Sequence, residues 1–134
     1  MLPKMLTTLP AFLSYFAVAV ALIAVFLMIY LFVTPYDEIA LIRQNNTAAA
    51  ISLSGALLGF ALPVANVIAH SDTIADLAAW GVIAGIVQIL TYLATRLTFP
   101  RLSADIPAGK IAPATILAAL SLTIGLTNAA CMSY

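Results

Sequence analysis

Residues 11–33 read AFLSYFAVAVALIAVFLMIYLFV and contain no charged side chain. A helix needs about 20 apolar residues to cross the roughly 30 Å hydrocarbon core of a bilayer, because it rises about 1.5 Å per residue. Three further stretches of this kind follow at about 47–69, 75–97 and 111–132. Among these three, only 75–97 contains charged residues, and they lie at its ends. The chain therefore has four segments that are long and apolar enough to span a membrane.

The composition excludes several other classes of protein. Of the 134 residues, 64% are hydrophobic and 7% are charged, whereas a soluble domain carries about 25% charged residues. Intrinsic disorder requires the opposite bias, with low hydrophobicity and high charge. The formal net charge of zero provides no basic surface for nucleic acid, and the single cysteine excludes an internal disulfide.

The length of the apolar stretches decides between helices and strands. Strands of membrane barrels have about 9–11 residues of alternating polarity, but these stretches are longer and do not alternate. Helices satisfy their backbone hydrogen bonds within each segment, as lipid requires. We predict an all-α membrane protein, with residues 1–134 forming a single integral membrane domain of four transmembrane helices.

A shift of 64 residues aligns the first helix with the third and the second with the fourth, matching for example Val18 with Val82. Many such matches arise by chance in a chain rich in Ala and Leu. The shift nevertheless predicts two repeats, at 11–69 and 75–132. An even number of helices per repeat gives both the same orientation, so we expect two parallel two-helix repeats.

Basic residues in the short loops predict the orientation, because Lys and Arg accumulate on the cytoplasmic side. Four spans place loops 34–46 and 98–110 on one side and both termini on the other. The four basic residues near these loops are Arg43, Arg96, Arg101 and Lys110. The side of the termini carries only Lys4. We expect the two loops in the cytoplasm and both termini outside.

Glycines four residues apart mark two of the predicted helices: Gly55 and Gly59 on the second, Gly81 and Gly85 on the third. Small residues at this spacing let two helix backbones approach closely, and packing is a main driver of helix association in lipid. These faces either pack inside one four-helix bundle or join one copy of the chain to another.

Uncharged polar residues also occur within the spans: Asn66, Gln88, Tyr92 and Asn128. Such groups either hydrogen-bond between helices or line a polar path for a small solute. No Asp, Glu, Lys or His lies in the middle of a span, which argues against a proton-coupled pump.

Loop 34–46 is the polar stretch with the most information. Pro35 ends the first helix, and Asn46 stands where the N-cap of the next belongs. Asp37, Glu38 and Arg43 either hold a cation or an amine at the cytoplasmic surface or form a solvated, self-neutralising loop. We take Glu38, Arg43 and Asn46 as candidate cytoplasmic contacts.

No spacing typical of a nucleophile with its base, a phosphate-binding loop or a metal site occurs, so we predict neither an enzyme nor a bound cofactor or metal. The motif RQNNTAAA at 43–50, followed by SGALLG at 54–59, resembles the Domain of Unknown Function 350 family of YjfL-like small bacterial inner-membrane proteins. Trp80-Gly81, Gln88 and NAACM at 128–132 extend the resemblance over nearly the whole chain.

This resemblance implies a multi-pass protein of the bacterial inner membrane with two copies of a two-helix unit. The distribution of Lys and Arg then predicts that both termini lie in the periplasm. The second copy reads GKIAP at 109–113 and lacks the Asn-Thr entry of the first. We expect a structural or interaction component of an envelope-associated membrane system that self-associates through small-residue helix faces. Its partners would be the lipid bilayer and either a second copy or another membrane protein. The alternative is a small channel or facilitator for a neutral or cationic solute.

Overall fold

The computed structural model describes residues 2–132, and at positions 2, 4 and 5 it describes the backbone alone. The helices are α1 (Leu2–Val33), α2 (Glu38–Arg43), α3 (Thr47–His70), α4 (Ile74–Thr98), α5 (Leu102–Asp105) and α6 (Ile111–Cys131). Within residues 2–132 there is no strand, and α1, α3, α4 and α6 are each long and apolar enough to cross a membrane. The prediction of an all-α membrane protein with four such helices is confirmed.

The first helix is longer than the predicted 11–33 and begins at Leu2. Pro3 lies in its first turn, where the missing N–H is tolerated because that position has no partner within the helix. Pro10 lies inside the helix, and the Ser14 hydroxyl donates to its carbonyl oxygen at 2.9 Å. Two prolines thus lie within the first ten residues without ending α1.

Helices α3 and α6 form the closest pair and run parallel, because successive contacts advance along both. Gly55 faces Ala118, and further along Gly59 faces Gly125. A Cβ added to either member of the second pair would overlap backbone atoms of α6 or α3. The two backbones therefore touch directly, which only glycine allows at these positions.

Helix α4 packs on this pair, and α1 packs mainly on α4. Leu22 of α1 lies over Gly81 of α4, and the rings of Phe26 and Phe60 stack with centroids 4.4 Å apart. Helix α1 is the outermost element: an 18-residue window within its span Leu6–Val33 has a mean hydropathy of 3.0 and is 17% buried, against 56% for the corresponding window of α3. Contact with other apolar groups outside the chain must cover most of α1.

The short helices α2 and α5 lie at one end of the bundle, here called the α2–α5 end. Asn46 connects the two loops there: its Oδ1 accepts from Ala49 N at 3.0 Å and caps α3, as predicted. Its Nδ2 donates to the carbonyl oxygens of Ile106 and Pro107, both at 3.2 Å. One side chain thus begins α3 and ties its loop to the loop before α6.

Helices α2 and α5 begin 64 residues apart, as do α3 and α6 (102 − 38 and 111 − 47). Asn45 and Gly109, also separated by 64 positions, both have positive φ, at 66° and 82°. These spacings agree with the predicted repeat, which stays a prediction.

The glycines predict a sharp contrast in stability. We expect Gly59→Ala and Gly125→Ala to destabilise the bundle by about 1–3 kcal/mol or more, because neither backbone can move away without separating α3 from α6. Gly85→Ala should be tolerated, since its Cβ would meet Phe60 and Phe26 at the ordinary distances of 3.5 and 3.7 Å. Unfolding of the purified variants in detergent, followed by circular dichroism, measures the difference. Equal stability of Gly59→Ala and Gly85→Ala would contradict the described packing.

Candidate functional site

Two of the three amides predicted within the spans form hydrogen bonds between helices. Gln88 Nε2 on α4 donates to the carbonyl oxygen of Ser121 on α6 at 3.0 Å. Asn66 Nδ2 on α3 donates to the carbonyl oxygen of Ala129 at 2.7 Å. Asn128 is half-buried, and its Nδ2 has no hydrogen-bond partner among the described residues. Gln88 and Asn66 therefore each join α6 to a neighbouring helix.

Tyr92, one turn beyond Gln88, belongs to a different group at the α2–α5 end. Its ring meets Tyr30 of α1 edge-to-face, with centroids 5.5 Å apart. Polar side chains from α1, the segment after it, α2, α4 and α5 come together here, and we call them the Glu38 cluster. Its members are Tyr30, Thr34, Tyr36, Glu38, Tyr92 and Ser103.

Local structure directs Glu38 inward. The backbone N–H of Thr34 donates to the carbonyl of Tyr30 at 3.0 Å and prolongs the α1 pattern by one residue. Pro35 then prevents further helix. Asp37 begins a new one, because its Oδ1 accepts from Ala40 N at 3.2 Å. Glu38 is the first residue of α2, and its side chain points back to Thr34.

Hydrogen bonds satisfy only part of the cluster. The Thr34 hydroxyl donates to Glu38 Oε1. Five other buried atoms have no hydrogen-bond partner in the described part of the chain: the hydroxyls of Tyr30, Tyr36 and Tyr92, Ser103 Oγ and Glu38 Oε2. Tyr36 and Ser103 approach the Tyr92 side chain as hydrogen-bonding neighbours, but the three hydroxyls do not meet the full distance and angle of a hydrogen bond. Buried polar groups usually have partners, so this concentration marks a site.

Burial sets the charge state of the carboxyl. Glu38 is fully buried, and burial raises its pKa to about 7, helped by the charge of Asp37 and opposed by the bond from Thr34. Burial likewise raises the pKa of the Tyr36 hydroxyl above its usual range. No ion pair among residues 2–132 includes Glu38, and the pair that does form there joins Lys110 to Asp105 at 3.4 Å. Glu38 therefore titrates near neutral pH without a basic partner.

This placement corrects the picture of a solvated loop. Asp37 and Arg43 are exposed, but Glu38 is fully buried, so it cannot form a surface contact with Arg43. The difference arises because residues 38–43 form a helix whose first residue faces the bundle. Sequence reasoning also missed Tyr30 and Thr34, although with Glu38 they form a series at four-residue spacing. This spacing was not noticed because Pro35 interrupts the series and indicates the end of the first helix.

The raised pKa of Glu38 predicts a pH dependence of stability. The folded chain keeps this proton up to about pH 7, whereas an unfolded chain releases it near 4.5. Stability should therefore fall as the pH rises from 5 to 8, by up to about 3 kcal/mol at about 1.4 kcal/mol per pKa unit. Unfolding in detergent, in a buffer whose cation is tetramethylammonium, measures the slope. Glu38→Gln should flatten it, and an unchanged slope in this variant would assign the pH dependence to another group.

Comparisons with known proteins agree with this architecture. The chain is 40% identical over 129 residues to the UPF0719 inner membrane protein YjfL of Escherichia coli (strain K12), covering 96% of this chain and 98% of that protein. It is 27% identical over 92 residues to the UPF0719 transmembrane protein YshE of Bacillus subtilis (strain 168), covering 69% of each. No solved structure gives a significant match. The family model described as Domain of Unknown Function (DUF350) matches residues 4–132, and the chain belongs to this family of membrane proteins.

Proposed function

We propose that this protein is a structural or interaction component of an envelope-associated system in the bacterial inner membrane, and that it associates with itself. The observation that carries the proposal is an apolar groove of about 310 Å³ on the outer surface of α1 and α4. Gly81 and Gly85 lie in this groove, beside Leu22, Phe26 and Phe60. A groove with glycine in its lining admits a side chain from another helix.

The other glycine pair supports this choice of surface. Gly55 and Gly59 are buried against α6 of the same chain, so they have no free face to offer a second copy. Gly85 is only half-buried, and the groove beside it opens outward between α1 and α4. On the α4 face, Gly81 is buried under Leu22 of α1, so the face is open at Gly85.

The exposed side of α1 supplies groups that could enter such a groove. Met28 and Phe32 are 70% and 90% exposed, and Val25 and Ile29 flank the groove itself. A two-fold arrangement would place the same surface of both copies in contact, with each α1 against the other groove. A second copy of this chain is therefore the occupant we propose.

The alternative function, a channel or facilitator for a neutral or cationic solute, stays a prediction. Gln88 and Asn66 use their amide N–H groups in bonds between helices. Tyr92, one turn beyond Gln88 on α4, lies with the Glu38 cluster.

Filling the groove should weaken self-association without unfolding the chain. Gly85→Leu is the variant, because the first carbon of the new side chain meets only ordinary contacts and Gly85 lines the groove. Loss of about 1.4 kcal/mol corresponds to a tenfold lower association constant, and we expect at least that. Cross-linking or single-molecule photobleaching in lipid vesicles at several protein-to-lipid ratios measures it.

Ala119→Leu is the matched control, since Ala119 is exposed on α6 and outside the groove. It places the same side chain on an exposed face of another helix, adding one carbon fewer than Gly85→Leu does, and should leave association unchanged. A strictly monomeric wild type, or equal association of wild type and Gly85→Leu, would show that lipid fills the groove instead.

We also propose that the α2–α5 end faces the cytoplasm. Arg43, Arg96, Arg101 and Lys110 all lie near that end, whereas the predicted periplasmic side carries only Lys4 in the printed sequence. A reporter active only in the periplasm, fused after Tyr134, should be active, and one fused within 101–109 should not. The reverse pattern would overturn this orientation.

A further inference from the structure

Glu38 is a buried acid without a counter-charge. Its side chain is fully buried, and no described basic residue pairs with it. The nearest charge acting on it is that of Asp37, which also disfavours ionisation. Because an unpaired buried charge costs several kcal/mol, the carboxyl must either keep a proton or hold a cation.

A proton alone satisfies little of the surrounding polar surface. Four hydroxyl oxygens and Glu38 Oε2 are buried without a hydrogen-bond partner among residues 2–132. A proton on Glu38 adds one donor for one of these oxygens. A cation, in contrast, is coordinated by several oxygens at once, and an all-oxygen site suits a hard ion such as an alkali metal.

The single carboxyl limits the charge of that ion. Hard divalent ions are usually held by several carboxylates or keep many waters. The described residues contain no group of three His, Cys, Asp or Glu side chains that could hold a metal. One carboxylate balances one positive charge, so the cluster fits a monovalent cation.

The other charged and titratable groups around Glu38 do not replace this cation. They are Tyr30 from α1, Tyr36 and Asp37 from the connecting segment, and Tyr92 and Arg96 from α4. Arg96 acts on Tyr92 and not on Glu38, and its own side chain is exposed. Phenols ordinarily ionise near pH 10, so Glu38 is the acid of the cluster that titrates near neutrality.

We propose that the Glu38 cluster binds one monovalent cation, an alkali ion or ammonium, in exchange for the proton of Glu38. Oε2 and the hydroxyls of Tyr30, Tyr36 and Tyr92 supply the oxygen ligands. The Thr34 hydroxyl holds Oε1 and so orients the carboxylate. The exchange is balanced: one cation enters, one proton leaves to solvent, and the charge of the site does not change. This proposal is independent of self-association.

Stability measured against cation identity tests it. The full chain in detergent is unfolded thermally at constant ionic strength, with K⁺, Na⁺ or ammonium replacing tetramethylammonium, at pH 6 and pH 8. A small cation that binds the folded state raises the midpoint. Because the pKa of Glu38 is about 7, proton competition should make the apparent affinity about tenfold weaker at pH 6 than at pH 8. The separate arms identify whether an alkali ion or ammonium is preferred.

Two variants locate the response. Glu38→Gln removes the charge with little change of shape and should abolish the response to cations. Asp72→Asn is the matched control: it removes an exposed carboxylate in the loop between α3 and α4, at the opposite end of the bundle from Glu38. This control should respond as the wild type does. Tyr92→Phe removes one oxygen ligand and should weaken the response.

Three results would overturn the proposal. The first is that the stability at each pH is the same in small cations as in tetramethylammonium, even if it differs between the two pH values. The proton would then be the sole occupant of the Glu38 cluster. The second is an undiminished response in Glu38→Gln. The third uses the wild type alone and therefore holds even if a variant does not fold. It is that addition of K⁺, Na⁺ or ammonium to weakly buffered protein near pH 7 releases no protons, as measured with an indicator dye.

Discussion

The direct contact of α3 and α6 at Gly59 and Gly125 is the constraint on which the rest of the bundle depends. A Cβ on either residue would overlap backbone of the facing helix. In lipid, where water does not drive helices together, such close packing supplies much of the attraction between them. The contact fixes both the separation of the two helices and their relative height.

That height decides what the neighbouring side chains can reach. The Ser121 carbonyl lies beside Gly59, and Gln88 from α4 donates to it. The same register brings the loop of Asn46 against the carbonyls of Ile106 and Pro107. Contacts in the middle of the membrane and at its edge therefore follow from one pair of glycines.

The sequence was sufficient for the helices because the physical signal there is length. Four apolar stretches, each long enough to span a bilayer, leave little choice of secondary structure. Asn46 was predictable as a cap for a similarly local reason, since the hydrogen bond is formed three residues away. The start of α1 was not predictable, because a proline such as Pro10 gives the same sequence signal inside a helix as at its boundary.

The candidate site was harder to predict because it depends on tertiary contacts. Glu38 lies in a polar stretch beside Asp37 and Arg43, and this pattern ordinarily indicates solvent exposure. Its burial follows from the turn at Pro35 and from Tyr92, which lies more than fifty positions further along the chain. Gly81 and Gly85 pose a similar problem, since spacing identifies a small-residue face but not the helix that covers it.

Two adjacent carboxylates show how a single turn assigns different roles to similar groups. Asp37 remains exposed and caps α2, while Glu38 enters the bundle. Leu102, the first residue of α5, is also fully buried, but it brings no charge. Both short helices thus bury their first residue at the same end of the bundle, and in α2 that residue is an acid. An apolar residue at position 38 would suit burial better, so the buried acid argues that this end of the bundle has a role besides packing.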